Sequence, residues 1–241
     1  MENLTYKHND YLLRSNDYYA LTKYQIVMNL LPKKQNLNVL NAGCGSGEMN
    51  ILLAQNNTWK VTAIDIDEES ILLSQNIQKK NNIENLTIIK SSIEEHIPNE
   101  KYDIIVSNDV LEHIEDDNEA VKKFSLLLKK DGILCVSVPS LNYLFGYHDV
   151  MLGHYRRYNR KNCTKLLSSF FNIEKCRYFG GILIPAALLY SKIIKKPYPI
   201  GNANEKSVIS KLVKLILNFE KKVTLPLGTS LIAMGKLKSE K

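Results

Sequence analysis

Residues 39–47 read Val-Leu-Asn-Ala-Gly-Cys-Gly-Ser-Gly, and this stretch decides the fold. An apolar start, Val39-Leu40, runs into glycines at alternate positions, Gly43, Gly45 and Gly47, and helix-compatible residues follow from Glu48 to Gln55. The pattern is that of a strand, a tight turn and a helix N-terminus. Glycine suits such a turn because a side chain would keep a ligand off the backbone, and because the turn often needs φ > 0. The helix N-terminus adds unpaired N–H groups and the positive end of its dipole. Spacing narrows the ligand. In the dinucleotide pattern G-x-G-x-x-G the pyrophosphate rests on that N-terminus. Here the third glycine comes one residue early, Glu48 stands in its place, and no Lys-Ser/Thr pair of P-loop type follows.

The 241 residues suit a single α/β domain with modest additions and can bury a sizeable core. Apolar residues make up 44% and charged residues 24%, which excludes a disordered or fibrous chain. The formal charge is +7, and the excess is spread along the chain. Two readings follow: an anionic partner such as nucleic acid, a membrane surface or a phosphorylated substrate, or a surface simply rich in lysine. The four cysteines, at 44, 135, 163 and 176, form neither C-x-x-C nor a zinc pattern. They fit a reducing cytosol, so a cytoplasmic location is expected. No N-terminal signal segment is recognisable, and no apolar run reaches the ~18–20 residues of a membrane span.

Strand and helix patterns alternate from residue 37 to about 179. Strands are expected at 37–42, 60–65, 86–90, 102–107, 133–138 and 172–179, with helices at 46–55, 68–80, 118–129 and 160–170. Asp131-Gly132 is expected to stop the third of these helices. A last strand at 227–236 is expected at the end of the sheet. Such alternation implies a parallel, doubly wound sheet. A tyrosine-rich helix at 10–31 precedes it. Residues 180–226 interrupt it with an apolar stretch broken by Pro185, a Pro/Gly/Asn linker and a basic amphipathic helix at 207–222.

In open α/β sheets ligands bind beyond the carboxyl ends of the strands. Strand two ends in Asp65-Ile66-Asp67. A carboxylate there can accept both hydroxyls of a ribose, and Asp65 lies near the ~20-residue offset expected of that acid. Asp67 better suits a helix N-cap. Ser91, Ser92 and Ile93 follow strand three, where an adenine would lie, although either serine equally suits an N-cap. Strand four is followed by Asn108-Asp109-Val110-Leu111-Glu112-His113-Ile114.

Asn41-Ala-Gly-Cys-Gly-Ser-Gly47, Ala63-Ile-Asp-Ile-Asp67, Tyr102-Asp-Ile-Ile-Val-Ser107, Val110-Leu-Glu-His-Ile114 and Leu128-Lys-Lys-Asp-Gly-Ile-Leu-Cys-Val-Ser-Val-Pro139 come in the order of the class I S-adenosylmethionine (SAM)-dependent methyltransferases. The chain resembles most the group that methylates small molecules, including ubiquinone-type enzymes, closely over 37–140 and loosely elsewhere. The resemblance implies a Rossmann-like, mostly parallel seven-stranded sheet with a helical lid inserted before the last strand. It implies SAM as donor and S-adenosylhomocysteine as product. It implies cofactor contacts at Asn41, Gly43, Cys44, Gly45, Gly47, Asp65, Ile66, Ser92, Ile93, Asn108, Asp109 and Val110. Asn41 stands where the family usually carries an acid near the methionine ammonium, and Arg14 where some relatives place a base near the methionine carboxylate.

The acceptor is expected to meet residues 143–158. Tyr143, Tyr147, Tyr155, Arg156 and Arg157 are the substrate candidates, the arginines as carboxylate or phosphate clamps or as braces. His154 or His148 is the candidate general base, since imidazole titrates near neutrality. His113 is read as a wall or capping residue. No clear set of clustered acids appears, so no metal site is expected. Base-methylating motifs are absent, which disfavours nucleic acid. The expected reaction is O- or N-methylation of a small-molecule or lipid- or sugar-linked acceptor. The alternatives are a non-catalytic SAM-binding module and an RNA-directed enzyme. The insertion is read as a lid over an apolar substrate, a membrane-surface helix or a subunit interface, with an ordinary buried cover helix as the leading alternative, and the protein as monomer or homodimer.

Overall fold

A computed structural model describes residues 17–196 and 208–239. Arg14, residues 10–16 of the expected first helix, and the linker at 197–204 lie outside the described residues. The elements are helix α1 (Tyr18–Leu30), β1 (Asn38–Ala42), α2 (Glu48–Ala54), β2 (Lys60–Asp65), α3 (Glu68–Lys80), β3 (Leu86–Lys90), β4 (Tyr102–Asn108), α4 (Asp117–Leu127) and β5 (Leu128–Pro139). They continue with α5 (Tyr147–Met151), α6 (Arg160–Leu167), β6 (Phe171–Phe179), α7 (Ile184–Leu188), a π-helical turn (Leu189–Ile194), α8 (Val208–Lys222) and β7 (Ser230–Leu237).

The strands form one sheet in the order β3-β2-β1-β4-β5-β7-β6. The first five are parallel; β7 runs antiparallel to both β5 and β6. The last strand therefore does not lie at the end of the sheet. It is inserted between β5 and β6, and β6 forms the edge. Its sequence carries the reason: Ser230–Met234 is buried throughout, as suits an inner strand flanked on both sides, whereas β6 alternates with exposed Asn172, Glu174 and Lys175. A second correction concerns α4. The helix ends at Leu127, and Leu128 already pairs with Tyr102; the ladder slips before resuming at Ile104 and Ile133, with Asp131 at φ 61°. Asp131-Gly132 thus shapes a β-bulge, not a helix stop.

Alternation along the strands makes two cores. Leu40, Ala42, Ile64 and Ile105 face Phe124, Leu144, Cys163 and Leu167, while Val39, Val61, Ala63, Ile104 and Val106 face α1, α2 and α3. Helix starts are set by side chains: Asp17, Asp67, Asp116 and Asn159 each accept backbone N–H groups of the first turn. Pro185 sits in the first turn of α7, where its missing N–H costs nothing, so it opens a helix.

Helix α8 packs one side against α1 and the turn at Gly181–Leu183. Leu217 is fully buried, and the Glu220 carboxylate accepts the N–H groups of Gly180, Gly181 and Ile182 at 2.8–3.1 Å. Arg177 donates to the carbonyls of Glu220, Lys221 and Val223 at the helix end. The opposite side leaves Val208, Leu212, Leu215 and Phe219 exposed.

Phe124 is wholly buried in the first core and Leu126, on the same helix, is 59% exposed. Phe124→Ala is expected to cost about 3–5 kcal/mol, and Leu126→Ala within about 0.5 kcal/mol, read as the shift in urea midpoint. Equal shifts would contradict this packing.

Candidate functional site

The chain reverses its winding direction at β1, whose neighbours are β2 and β4. The Gly43–Gly47 turn leaves β1 at this switch point. All three glycines have positive φ, 75°, 50° and 96°. Their surroundings differ. A Cβ on Gly43 would stand 2.3 Å from the Val110 side chain, and one on Gly47 2.8 Å from Ser74 Oγ. A Cβ on Gly45 would meet nothing within 4 Å. Gly43 and Gly47 thus let the segment after β4 and helix α3 close onto the turn, and Gly45 faces open space. The turn is pinned by Gly43 and Cys44, whose N–H groups both donate to the Ile64 carbonyl at 2.9 Å.

Asp65 ends β2 and accepts from the N–H of Gly45 at 2.8 Å and of Asp67 at 3.0 Å, one on each oxygen. The carboxylate keeps acceptor capacity for a further donor. Burial raises the Asp65 pKa, against the pull of backbone hydrogen bonds from Asp67, Gly45 and Ile66. Ile66 beside it is 71% exposed, at the rim. Cys44 is buried, and burial, helped by the Asp65 charge, pushes its thiol up to about 12. Asn41 is buried and donates to Asn50 Oδ1 at 2.7 Å, and Asn50 donates in turn to Ser74 Oγ at 2.7 Å. This chain of amides ties β1 to α2 and α3. After β3, Ser92 Oγ accepts the Glu95 N–H at 3.1 Å, the capping role allowed for it, and Ile93 is buried in the first core.

At the end of β4, Asn108 Oδ1 accepts from Ser137 Oγ at 2.8 Å, while its Nδ2 and Ser107 Oγ are buried without partners. Asp109 takes φ 54° and pairs with Lys23, which α1 buries almost completely. Burial works against the Lys23 ammonium; Asp109, with Tyr19 and Tyr24, outweighs it and raises its pKa. Sequence reasoning looked for a cation at Arg14 and missed Lys23. The signal was available: Lys23 shares a helical face with the buried Ile26 and Val27, three and four residues on.

The acceptor-side residues divide in two. Tyr143, Tyr147 and Tyr155 are exposed. Arg156 and Arg157 are braces. Arg156 meets Asp117 at 2.9 Å and the Glu115 carbonyl at 2.6 Å. Arg157 is buried, with Nε 2.7 Å from Asp149 Oδ1 and Nη1 3.2 Å from the Ser140 carbonyl. Asp149 is the hub. It also accepts the Gly146 N–H at 3.0 Å and lies 2.9 Å from His154 Nδ1. Burial would raise the Asp149 carboxyl, but the His154 hydrogen bond, Arg157 and the Gly146 N–H hold it at about 2. An ionised carboxylate only accepts, so His154 Nδ1 carries a proton, which in the neutral ring leaves the lone pair on Nε2. His148, on α5, is buried. His154 stands edge-on to His113 at 4.6 Å between ring centres, and the Tyr155 N–H donates to the Glu112 carbonyl at 2.8 Å. Glu112 itself is buried; burial, then the Asp109 charge, raises its pKa. Neither Asp149 nor Glu112 was singled out from sequence, because each acts only through residues brought to it by the fold.

Residues 33–179 match the family model described as a methyltransferase domain. The chain belongs to the class I SAM-dependent methyltransferases. Among curated relatives, a probable SAM-dependent methyltransferase of Mycobacterium tuberculosis is 27% identical over 68% of this chain and 60% of its own length. The ribosomal protein L11 methyltransferase of Acetivibrio thermocellus is 32% identical over 43% of this chain and 32% of its own. The chain thus spans between a third and three fifths of these relatives. Among solved structures, the N-methyltransferase NodS of Bradyrhizobium japonicum, bound to S-adenosylhomocysteine, superposes with TM-score 0.62 at 14% identity, covering 97% of this chain and 94% of NodS. A putative methyltransferase from Haloferax volcanii, in complex with its activator Trm112, gives 0.66 at 13%, covering 96% of each. These likenesses speak for the fold.

The residues present fit SAM. The open side of Gly45, the remaining acceptor capacity of Asp65 and the orphaned donor of Asn108 all lie at the carboxyl ends of β1, β2 and β4. Gly43→Ala and Gly47→Ala are expected to lower the melting temperature more than Gly45→Ala. All three carry the left-handed backbone cost of about 1–2 kcal/mol; only the first two add a collision. Indistinguishable melting curves would remove Val110 and Ser74 as the reason for those glycines.

Proposed function

We propose that the protein transfers a methyl group from SAM to a hydroxyl or amino group of a small-molecule or lipid- or sugar-linked acceptor. The observation that carries this reading is the pairing of an open, left-handed Gly45 with the Asp65 carboxylate at the switch point of a methyltransferase sheet. SAM supplies an already activated sulfonium methyl, so placing the nucleophile in line gives much of the rate. In this reading Gly43, Gly45 and Gly47 let the donor approach the backbone, Asp65 holds its ribose, and Asn108 to Val110 wall its methyl end. Asn41, committed to Asn50, acts through the backbone of β1. His154 serves the acceptor nucleophile, oriented by Asp149. It is preferred to His148 because Asp149 orients its ring beside the turn that follows β4. Tyr143, Tyr147 and Tyr155, exposed in the same stretch of chain, offer the acceptor aromatic surface.

Lipid-linked acceptors are favoured over RNA by helix α8. Val208, Leu212, Leu215 and Phe219 are 54–81% exposed at helical spacing, with Lys211 and Lys222 alongside. An apolar stripe beside lysines suits an anionic membrane surface. No described helix is long and apolar enough to cross a membrane, so the proposed association is peripheral.

Gly45→Arg is expected to abolish SAM binding in calorimetry, and Asp65→Ala to weaken it by about 1–3 kcal/mol. Unchanged affinity in both would place the donor elsewhere. Comparing the metabolites of a deletion strain with its parent should reveal a compound lighter by one methyl group. For the membrane reading, vesicles containing phosphatidylglycerol should float the wild type, and the triple change Leu212→Ser, Leu215→Ser, Phe219→Ser should abolish flotation. Equal flotation would discard α8 as the contact.

A further inference from the structure

Leu111–His113 forms a single 3-10 turn directly after β4, and it places two chemically unlike side chains side by side. Glu112 points inward, 1% exposed, and its Oε2 is buried without a hydrogen-bond partner. His113 packs edge-on against His154. One ligand atom from each of Glu112, His113 and His154 lies within 4.8 Å of the other two. A buried carboxylate oxygen with no donor is costly to leave so. No donor among the described residues meets Oε2, and Lys23 and Arg157 act on Glu112 only through their charge, while the fold has brought two imidazoles to the same point.

We infer that Glu112, His113 and His154 form a binding site for one first-row divalent cation. The inference rests on the methyl-transfer reading and deepens it, because it says how His154 serves the acceptor. The donor set of two imidazoles and one carboxylate selects ions of the manganese-to-zinc series over magnesium or calcium, which prefer oxygen alone. The surrounding shell has the form that such sites use. A ligating histidine characteristically gives its other ring N–H to a carboxylate, which fixes the tautomer and strengthens the ligand. Asp149 does this for His154 at 2.9 Å, and is itself held by Arg157 at 2.7 Å and the Gly146 N–H at 3.0 Å. The Tyr155 N–H to the Glu112 carbonyl at 2.8 Å locks the His154 segment against the Glu112 turn. The nearby positive charges do not oppose an ion unscreened: Arg157 is paired with Asp149, and Lys23 with Asp109.

Three protein ligands leave coordination positions open. A hydroxyl of the acceptor reaching one of them is acidified, and its proton leaves to water. His154 then acts as ligand through Nε2 and takes no proton itself. Clustered acids would mark such a site in the chain; the set here is one acid and two histidines, the histidines forty-one residues apart.

The test is a titration of chelator-treated, untagged protein with cobalt(II), read by visible absorption and by metal content after gel filtration. The wild type should retain one cobalt per chain with ligand-field bands. Glu112→Gln, His113→Asn and His154→Asn should each weaken binding at least about tenfold, while His96→Gln, remote and bonded to Tyr102, should not. A wild type that retains no cobalt, or binding undiminished in all three variants, overturns the site. SAM calorimetry on the same metal-free samples separates the two readings. SAM binding without cobalt binding overturns the ion site alone; absence of SAM binding in the wild type overturns the methyl-transfer reading.

Discussion

The arrangement of the whole cofactor half depends on a steric constraint: five residues of backbone between β1 and α2 that side chains would not allow to close. Gly43 lets Val110 reach the turn, and Gly47 lets Ser74 do the same from α3. Through Val110 the turn fixes the segment after β4, hence Asp109 with Lys23 and the turn that carries Glu112 and His113. Through Ser74 it fixes α3, and the amide chain of Asn41 and Asn50 repeats the same link with hydrogen bonds. Van der Waals contact and polar connection therefore specify one geometry twice, which is the consistency expected of a well-determined structure.

The constraint also explains what was legible in the sequence. A glycine at φ > 0 leaves a mark in the chain itself, because no other residue type sits there cheaply. The strand–turn–helix unit, the order of β1 to β5, Asp67 as a cap and Asp65 at the end of β2 all follow from local pattern. The place of β7 does not. Its composition marks it as a strand, but insertion between β5 and β6 is a matter of non-local pairing, which alternation cannot report. The end of α4 was misplaced for a related reason: Asp131-Gly132 carries a turn signal that a β-bulge uses as readily as a helix end.

The acceptor half was read less well, and the failure is physical. Its organising groups are charged side chains whose partners lie far off in sequence or close by but in an unpredictable direction. Arg156 and Arg157 look like anion clamps in the chain; in the fold each spends its donors on Asp117, Glu115, Asp149 and Ser140. Lys23 and Glu112 look like ordinary helix and turn residues; each proves to be buried. Charge type in a sequence says that a partner is needed. It does not say whether that partner is the protein or the ligand.

That distinction carries the functional argument forward. Where the protein has already satisfied a polar group, as with Arg157 and Asn41, the group is spent on architecture and offers a ligand little. Where it has not, the desolvation cost stands until something else meets it. Three of the six unsatisfied buried atoms among the described residues lie at the carboxyl end of β4: Ser107 Oγ, Asn108 Nδ2 and Glu112 Oε2. Asn108 lies two residues before Val110, which closes on the glycine turn, whereas Glu112 adjoins the two histidines. One donor that lacks an acceptor and one acceptor that lacks a donor thus stand four residues apart in the chain. A single ligand of one sign cannot answer both. Two ligands would, the proposed adenosyl donor on the Asn108 side and the proposed cation with its acceptor on the Glu112 side, and the six residues from Asn108 to His113 would then form the boundary between them.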